Sequence, residues 1–263
     1  MVPSARNGRG REPRGTRALD TPAAFRASMP ERYRGAFDGS AIREHAAIVA
    51  RRGKAPALVE IWKREPRGRA VMCIVADDRP GLLSLVSAAL NSQNLDVVAA
   101  QAYTRTVAGA EAEAVDFVWV ARSAEVALPV RSMDATRVAA VLRSLIQGEA
   151  TVDAVARQGR KPSTPPPGAT TRVMFDEAPK SGLAVLTVET FDRPGLLLAI
   201  TLALFRARVQ IVASDATTES GRVVDRFTVA ELDGAPVRGH RRGAVQTAVL
   251  AAIDTLSERR ARI

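Results

Sequence analysis

The sequence predicts an α+β protein in which one β-α-β-β-α unit is written twice behind a short helical N-terminal segment. Two observations carry this. FDRPGLLLAI at 191–200 nearly repeats DDRPGLLSLV at 77–86, each time between an apolar strand and an apolar helix. The likeness also keeps register. A shift of 114 residues takes Asp78 onto Asp192 and Leu95–Ala99 onto Val209–Ala213, then tightens to 109 where Val115-Asp116 meets Val224-Asp225. The five residues lost fall between two strands, where length changes are tolerated.

The elements follow in order. Ile42, Ala46 and Val49 lie at helical spacing, with Asp38 or Ser40 as the cap and Gly53 at the end. ALVEIW (57–62) reads as a strand, VMCIVA (71–76) as a buried strand, and Leu82 to Leu90 as a helix that Asn91 or Asn94 ends. LDVVAAQAYT (95–104) and AVDFVWV (114–120) are strands, and 134–147 is a helix with Asp134 as candidate cap. KPSTPPPGAT (161–170) is a Pro-rich spacer. The same order returns as strands 183–189, 209–218 and 222–231 and helices 196–205 and 243–260. A fourth strand in each copy would close a ferredoxin-like βαββαβ sandwich. For the first copy TVDAVA (151–156) and TRVMF (171–175) both qualify; the second shows no clear one before 263. The expected divisions are a disordered basic arm (1–28), an N-terminal segment (29–66), a first unit (67–160), the spacer (161–170) and a second unit (171–263).

Composition narrows the function. The formal charge is +10, but 34 of the 38 basic residues are Arg beside abundant Ala and Val. That pattern reads as a compositional habit more than as a nucleic-acid surface, and nucleic acid is not the expected partner. Arg6, Arg9, Arg11, Arg14 and Arg17, and Arg238, Arg241, Arg242, Arg259, Arg260 and Arg262, are read as solvated ends. One cysteine, Cys73, in an apolar run is expected buried and inert. No apolar stretch reaches the roughly 18 residues of a membrane span, and no secretory pattern opens the chain, so a cytoplasmic protein is expected. Two histidines, His45 and His240, cannot build a histidine metal site, so neither a metal nor a cofactor is expected. No nucleophile–base pattern is visible. Asp116 and Asp225 are read as edge or turn carboxylates, and Trp62 and Trp119 as packing anchors.

The repeated turn has its own chemistry. Pro80 and Pro194 suit the first turn of a helix, and Gly81 and Gly195 let a backbone or ligand come close. The Gly and Leu amides at the helix start favour an anion such as a carboxylate, and Asp78 or Asp192 could take an ammonium. Together these describe a free amino acid. The same residues also make a good helix start with no ligand.

DRPGLL, its helix and the strand openings LDVVAAQA and VQIVASDA resemble ACT domains, small regulatory modules of ferredoxin-like fold that often bind amino acids. The tandem, with MPERYRGAFDGSAIREHAAIVARR before it, is most similar to the C-terminal part of bacterial PII uridylyltransferase/uridylyl-removing enzymes. The resemblance implies a ligand site at Asp78, Gly81, Leu82 and Asp96 in the first copy and at Asp192, Gly195, Leu196 and Gln210 in the second. It makes the second copy the better candidate, because Gln210 both donates and accepts. Paired D-x-D carboxylates and an HD pair, which the enzymes' catalytic domains use, are missing. The expectation is therefore a non-catalytic regulator in nitrogen metabolism that senses an amino acid, with glutamine first. The alternatives are a ligand-free interaction module that meets a partner protein or a second copy through its sheet edges, and part of a uridylyltransferase system.

Overall fold

The computed structural model describes residues 21–106, 111–122, 128–159, 166, 168–178 and 181–258. The arm before Thr21, most of the Pro-rich spacer and Arg259, Arg260 and Arg262 lie outside the described residues. In chain order the elements are α1 (Pro22–Ser28), α2 (Glu31–Ala36), α3 (Gly39–Arg52), β1 (Ala57–Arg64), β2 (Ala70–Asp77), α4 (Leu82–Ser92), β3 (Leu95–Arg105), β4 (Glu113–Arg122), α5 (Ser132–Gln147), α6 (Val152–Ala156), β5 (Arg172–Glu177), β6 (Ala184–Phe191), α7 (Leu196–Arg206), β7 (Val209–Glu219), β8 (Arg222–Glu231) and α8 (His240–Glu258). All eight strands join one antiparallel sheet in the order β1-β2-β4-β3-β7-β8-β6-β5. The α+β class and the repeated strand–helix–strand–strand–helix order hold.

The fourth strand does not come where the sequence suggested. In each half it precedes the repeated unit: β1 lies beside β2, and β5 lies beside β6. TVDAVA instead forms α6, with the Thr151 hydroxyl accepting the Ala154 amide at 3.3 Å. TRVMF becomes β5 of the second half. A strand after α5 would need the edge beside β2, and β1 already holds it. Residues 57–64, read as part of the N-terminal segment, thus complete the first half, and α1 forms within the stretch read as a disordered arm.

Two helices cover one face of each half. Leu90, Val118, Val138 and Leu142 are fully buried in the first, and Leu186, Ile200, Phe227 and Val249 in the second. The opposite face of β2–β4 carries Cys73, Val115 and Phe117 and is covered by α1–α3. The few aromatic residues concentrate here: Phe25, Tyr33, Phe37, Trp62, Tyr103 and Phe117 meet at centroid distances of 4.9–6.2 Å. His45 sits inside this cluster, its Nδ1 2.6 Å from the Tyr33 hydroxyl. Burial pushes its pKa down to about 3, so it is a neutral core histidine. Cys73 is buried with its thiol pKa pushed up by desolvation, as an inert cysteine should be. Asp38 caps α3 through the Ala41 amide at 2.8 Å. Asp134 lies one turn inside α5 and accepts the Arg131 amide at 2.8 Å; it is not the cap itself.

Glu113 at the start of β4 is fully buried between Arg52 of α3 and Arg105 of β3, each at 2.6 Å. Arg52 also holds Asp77 at 2.7 Å. This network ties the N-terminal helices to the sheet. Removing one partner of a buried ion pair leaves a charge without compensation, at a cost of about 3–5 kcal/mol. Glu113→Gln should lower stability by that order in urea unfolding; a loss below about 1 kcal/mol would show that water already solvates the network.

Candidate ligand-binding site

The two halves meet along β3 and β7. Their ladder is four residue pairs long, from Ala99↔Thr217 to Ala102↔Ser214, and α4 packs against α7 beside it. Each strand is irregular near its start, between Val97 and Ala99 and between Ile211 and Ala213. Such bulges bend a strand away from its partner. The strand starts therefore splay from the seam at its two ends, and at each end a cavity lies beneath one of the repeated turns.

This crosses the expected pairings. Asp78, Gly81 and Leu82 line a cavity of about 280 Å³ together with Gln210 of the other half. Asp192, Gly195 and Leu196 line one of about 40 Å³ together with Asp96. Each turn thus faces the start of the second strand of the opposite half, while from its own half the far end of that strand lines the same cavity. The structure brings Gln210 to the first turn, and the larger cavity is there.

The turns are built alike. Gly81 and Gly195 are the helix N-caps, with φ of 81° and 80°. Side chains avoid that region, so glycine is required by the backbone itself. At Gly81 space requires it too: a Cβ would lie 2.6 Å from the Phe205 ring. The prolines stand just before these caps, outside the first helical turn. The Leu82 and Leu196 amides donate to the carbonyls of Arg79 and Arg193 at 3.1 Å, so the turn itself uses two of the amides expected to face an anion. The Gly81 and Gly195 amides make no hydrogen bond among the described residues. Asp78 does not cap its helix; it accepts the Thr104 hydroxyl at 2.8 Å.

Two residues that sequence reasoning placed at edges or turns belong to these cavities. Asp116 on β4 lines the larger and Asp225 on β8 the smaller, and both are buried in interior strands. Each stands opposite an alanine, Ala102 or Ala216, whose small side chain leaves room for the carboxyl. Desolvation pushes each pKa up to about 7, with the nearby Asp78 or Asp192 adding to it and the backbone amide of Tyr103 or Thr217 opposing it. The available signal was an acidic residue repeated inside two otherwise apolar strand patterns, AVDFV and VVDRF.

Each cavity thus offers a carboxyl group from its turn, at least one from a strand, and one glycine amide with no hydrogen bond among the described residues. Among the described residues no three acidic, histidine or cysteine side chains converge as a metal site would require. No described helix is long and apolar enough to cross a membrane. At the basic end, Arg241 forks onto Glu231 at 2.9 Å and Arg242 donates to the Val237 carbonyl at 2.9 Å, so both fasten α8 where solvated residues were expected. His240 opens α8, and Trp62 and Trp119 each donate an indole N–H, to Glu44 and Glu65.

No family model matches the chain. Among curated proteins it is similar to bifunctional uridylyltransferase/uridylyl-removing enzymes. That of Bradyrhizobium diazoefficiens is 28% identical over 191 residues, 70% of this chain and 20% of the enzyme. That of Phenylobacterium zucineum is 28% identical over 231 residues, 86% of this chain and 24% of the enzyme. That of Rhodospirillum rubrum is 27% identical over 207 residues, 75% of this chain and 21% of the enzyme. The chain therefore spans about a fifth to a quarter of the length of these relatives.

An Asp with a raised folded-state pKa stabilises the native state fully at pH below the ordinary carboxyl range, and this contribution is lost as pH rises through the folded value. The wild-type chain should therefore lose stability between about pH 4 and 7 relative to an Asp116→Asn, Asp225→Asn double variant, whose amides do not titrate. His45 contributes with the opposite sign but is common to both proteins and cancels. Urea midpoints across this window check it; a constant difference would mean that the two carboxyls titrate as ordinary exposed ones.

Proposed function

We propose that the two halves are regulatory units of ACT type and that the chain binds a free α-amino acid at the seam without catalysing a reaction. One observation carries the reading: each Asp-x-Pro-Gly turn meets the second strand of the other half across a cavity that holds carboxyl groups and an unspent amide. Carboxylates attract an ammonium, and an amide at a helix start attracts a carboxylate. A ligand held between halves also alters how the halves pair, which is what a sensor needs. The similarity to uridylyltransferase/uridylyl-removing enzymes supports a place in such a system in nitrogen metabolism and makes glutamine the first ligand to try. A ligand-free interaction module is the second reading; it rests on β1 and β5, which form the two edges of the sheet and could pair with a partner or a second copy.

A thermal-shift screen of the twenty amino acids at millimolar concentration tests the first reading. A ligand that binds the native state adds about 2.7 kcal/mol at a hundredfold excess over Kd. One amino acid, or a small related group, should raise the midpoint, and Gln210→Ala should remove the rise while leaving the unliganded midpoint within a few degrees. Gly195→Asp is the poorer control, since φ of 80° strains any side chain there. If no amino acid shifts the midpoint, the interaction module becomes the reading to pursue.

A further inference from the structure

The two cavities are related by the repeat yet differ at two pairs of equivalent positions. The register that aligns the copies places Asn91 and Phe205 at equivalent positions near the ends of α4 and α7. Asn91 is covered: Gly159, just beyond α6, lies so close that a Cβ there would meet the Asn91 amide nitrogen at 2.1 Å. Val155 of α6 is buried in the same core. Phe205 has no such cover and is 43% exposed at the mouth of the larger cavity. The turn arginines differ likewise. Both line their cavities, but Arg193 is 5% exposed, whereas Arg79 is exposed and donates to the Ile146 carbonyl at 3.4 Å. A volume of about 40 Å³ holds roughly three waters; about 280 Å³ takes a small organic molecule.

The larger cavity has polar capacity to match. One oxygen of Asp116 takes the Tyr103 amide at 3.3 Å, and its other oxygen makes no hydrogen bond among the described residues. Ser84 and Thr201 also line the cavity, but their hydroxyls donate to backbone carbonyls of their own helices. Gln210 adds a side-chain amide.

We propose that the two cavities have diverged, so that one α-amino acid binds per chain, in the cavity between the first turn and β7, with its ammonium against Asp78 and Asp116, while the cavity at the second turn is a packed contact between the halves. The proposal rests on the amino-acid reading above and adds the stoichiometry, the site and the role of Asp116. Asp116, whose pKa burial holds near 7, ionises beside a bound ammonium, so binding below neutral pH expels a proton. The charged and titratable groups around it are Asp78 and Arg79 in the turn after β2, Cys73 on β2, Tyr103 on β3 and Arg32 on α2; α4 brings none.

Isothermal titration of the full chain with the amino acid found by thermal shift tests this. The expected result is one site, with Kd weakened at least tenfold by Asp116→Asn and by the surface change Asp78→Asn, and altered less than twofold by Asp225→Asn. At pH 6.5 the binding heat should also depend on the buffer's ionisation enthalpy, and in Asp116→Asn it should not. Two sites, or a loss with Asp225→Asn matching that with Asp116→Asn, would overturn the divergence and leave the amino-acid reading standing. Absence of binding by every amino acid would remove both. Asp78→Asn lies on the exposed turn, so it keeps the test sound if Asp116→Asn fails to fold.

Discussion

A ladder of four residue pairs between β3 and β7, with α4 packed on α7, sets where the two cavities lie. A seam of Ala99–Ala102 against Ser214–Thr217 is short, and small side chains line much of it. Because the strands are antiparallel, their starts lie at opposite ends of the seam, and the bulges turn both starts outward. The turn of one half then comes to rest over the start of β7 or β3 from the other. Had the seam run longer, the cavities would be closed by the sheet ladder itself.

The N-terminal helices reinforce this seam at one end. Arg32 of α2 donates to the carbonyls of both Ala102 and Ser214, the last pair of the ladder, at 2.5 and 3.1 Å, while its guanidinium lies 4.5 Å from the Tyr103 ring centre. One side chain thus bridges the two halves beside the larger cavity. The helices carrying it are held by the aromatic cluster around Tyr33 and by the buried Arg52–Glu113–Arg105 group. The outer face of the first half is therefore a packed interface, and the N-terminal segment is part of the fold that positions the site.

The sheet also explains why acidic residues lie in interior strands. A carboxyl beneath two helices costs free energy when ionised, and the protein meets that cost at Asp116 and Asp225 by holding the pKa up and by supplying a single backbone amide. A structural role alone would be served better by an apolar side chain at either position. The arrangement recurs at both cavities, and the one at the second turn is much the smaller, about 40 against about 280 Å³.

The sequence by itself determined the class, most elements and the duplication, since these rest on local periodicity and on turn residues that act within a few positions. It identified both Asp-x-Pro-Gly turns, and their glycines do adopt the left-handed backbone that only glycine takes easily. It misplaced the fourth strands, because a strand at a sheet edge looks the same whether it comes before or after its unit; the choice is made by which segment reaches the edge first. It assigned Gln210 to Asp192 and Asp96 to Asp78, since spacing along the chain relates residues within one copy. Only the tertiary structure exchanged these partners, through an antiparallel seam whose register no local pattern encodes. The same is true of Asp116 and Asp225: their burial and raised pKa follow from helices and strands packed around them, and an isolated V-D-F or V-D-R carries no sign of which face of the sheet the carboxyl will meet.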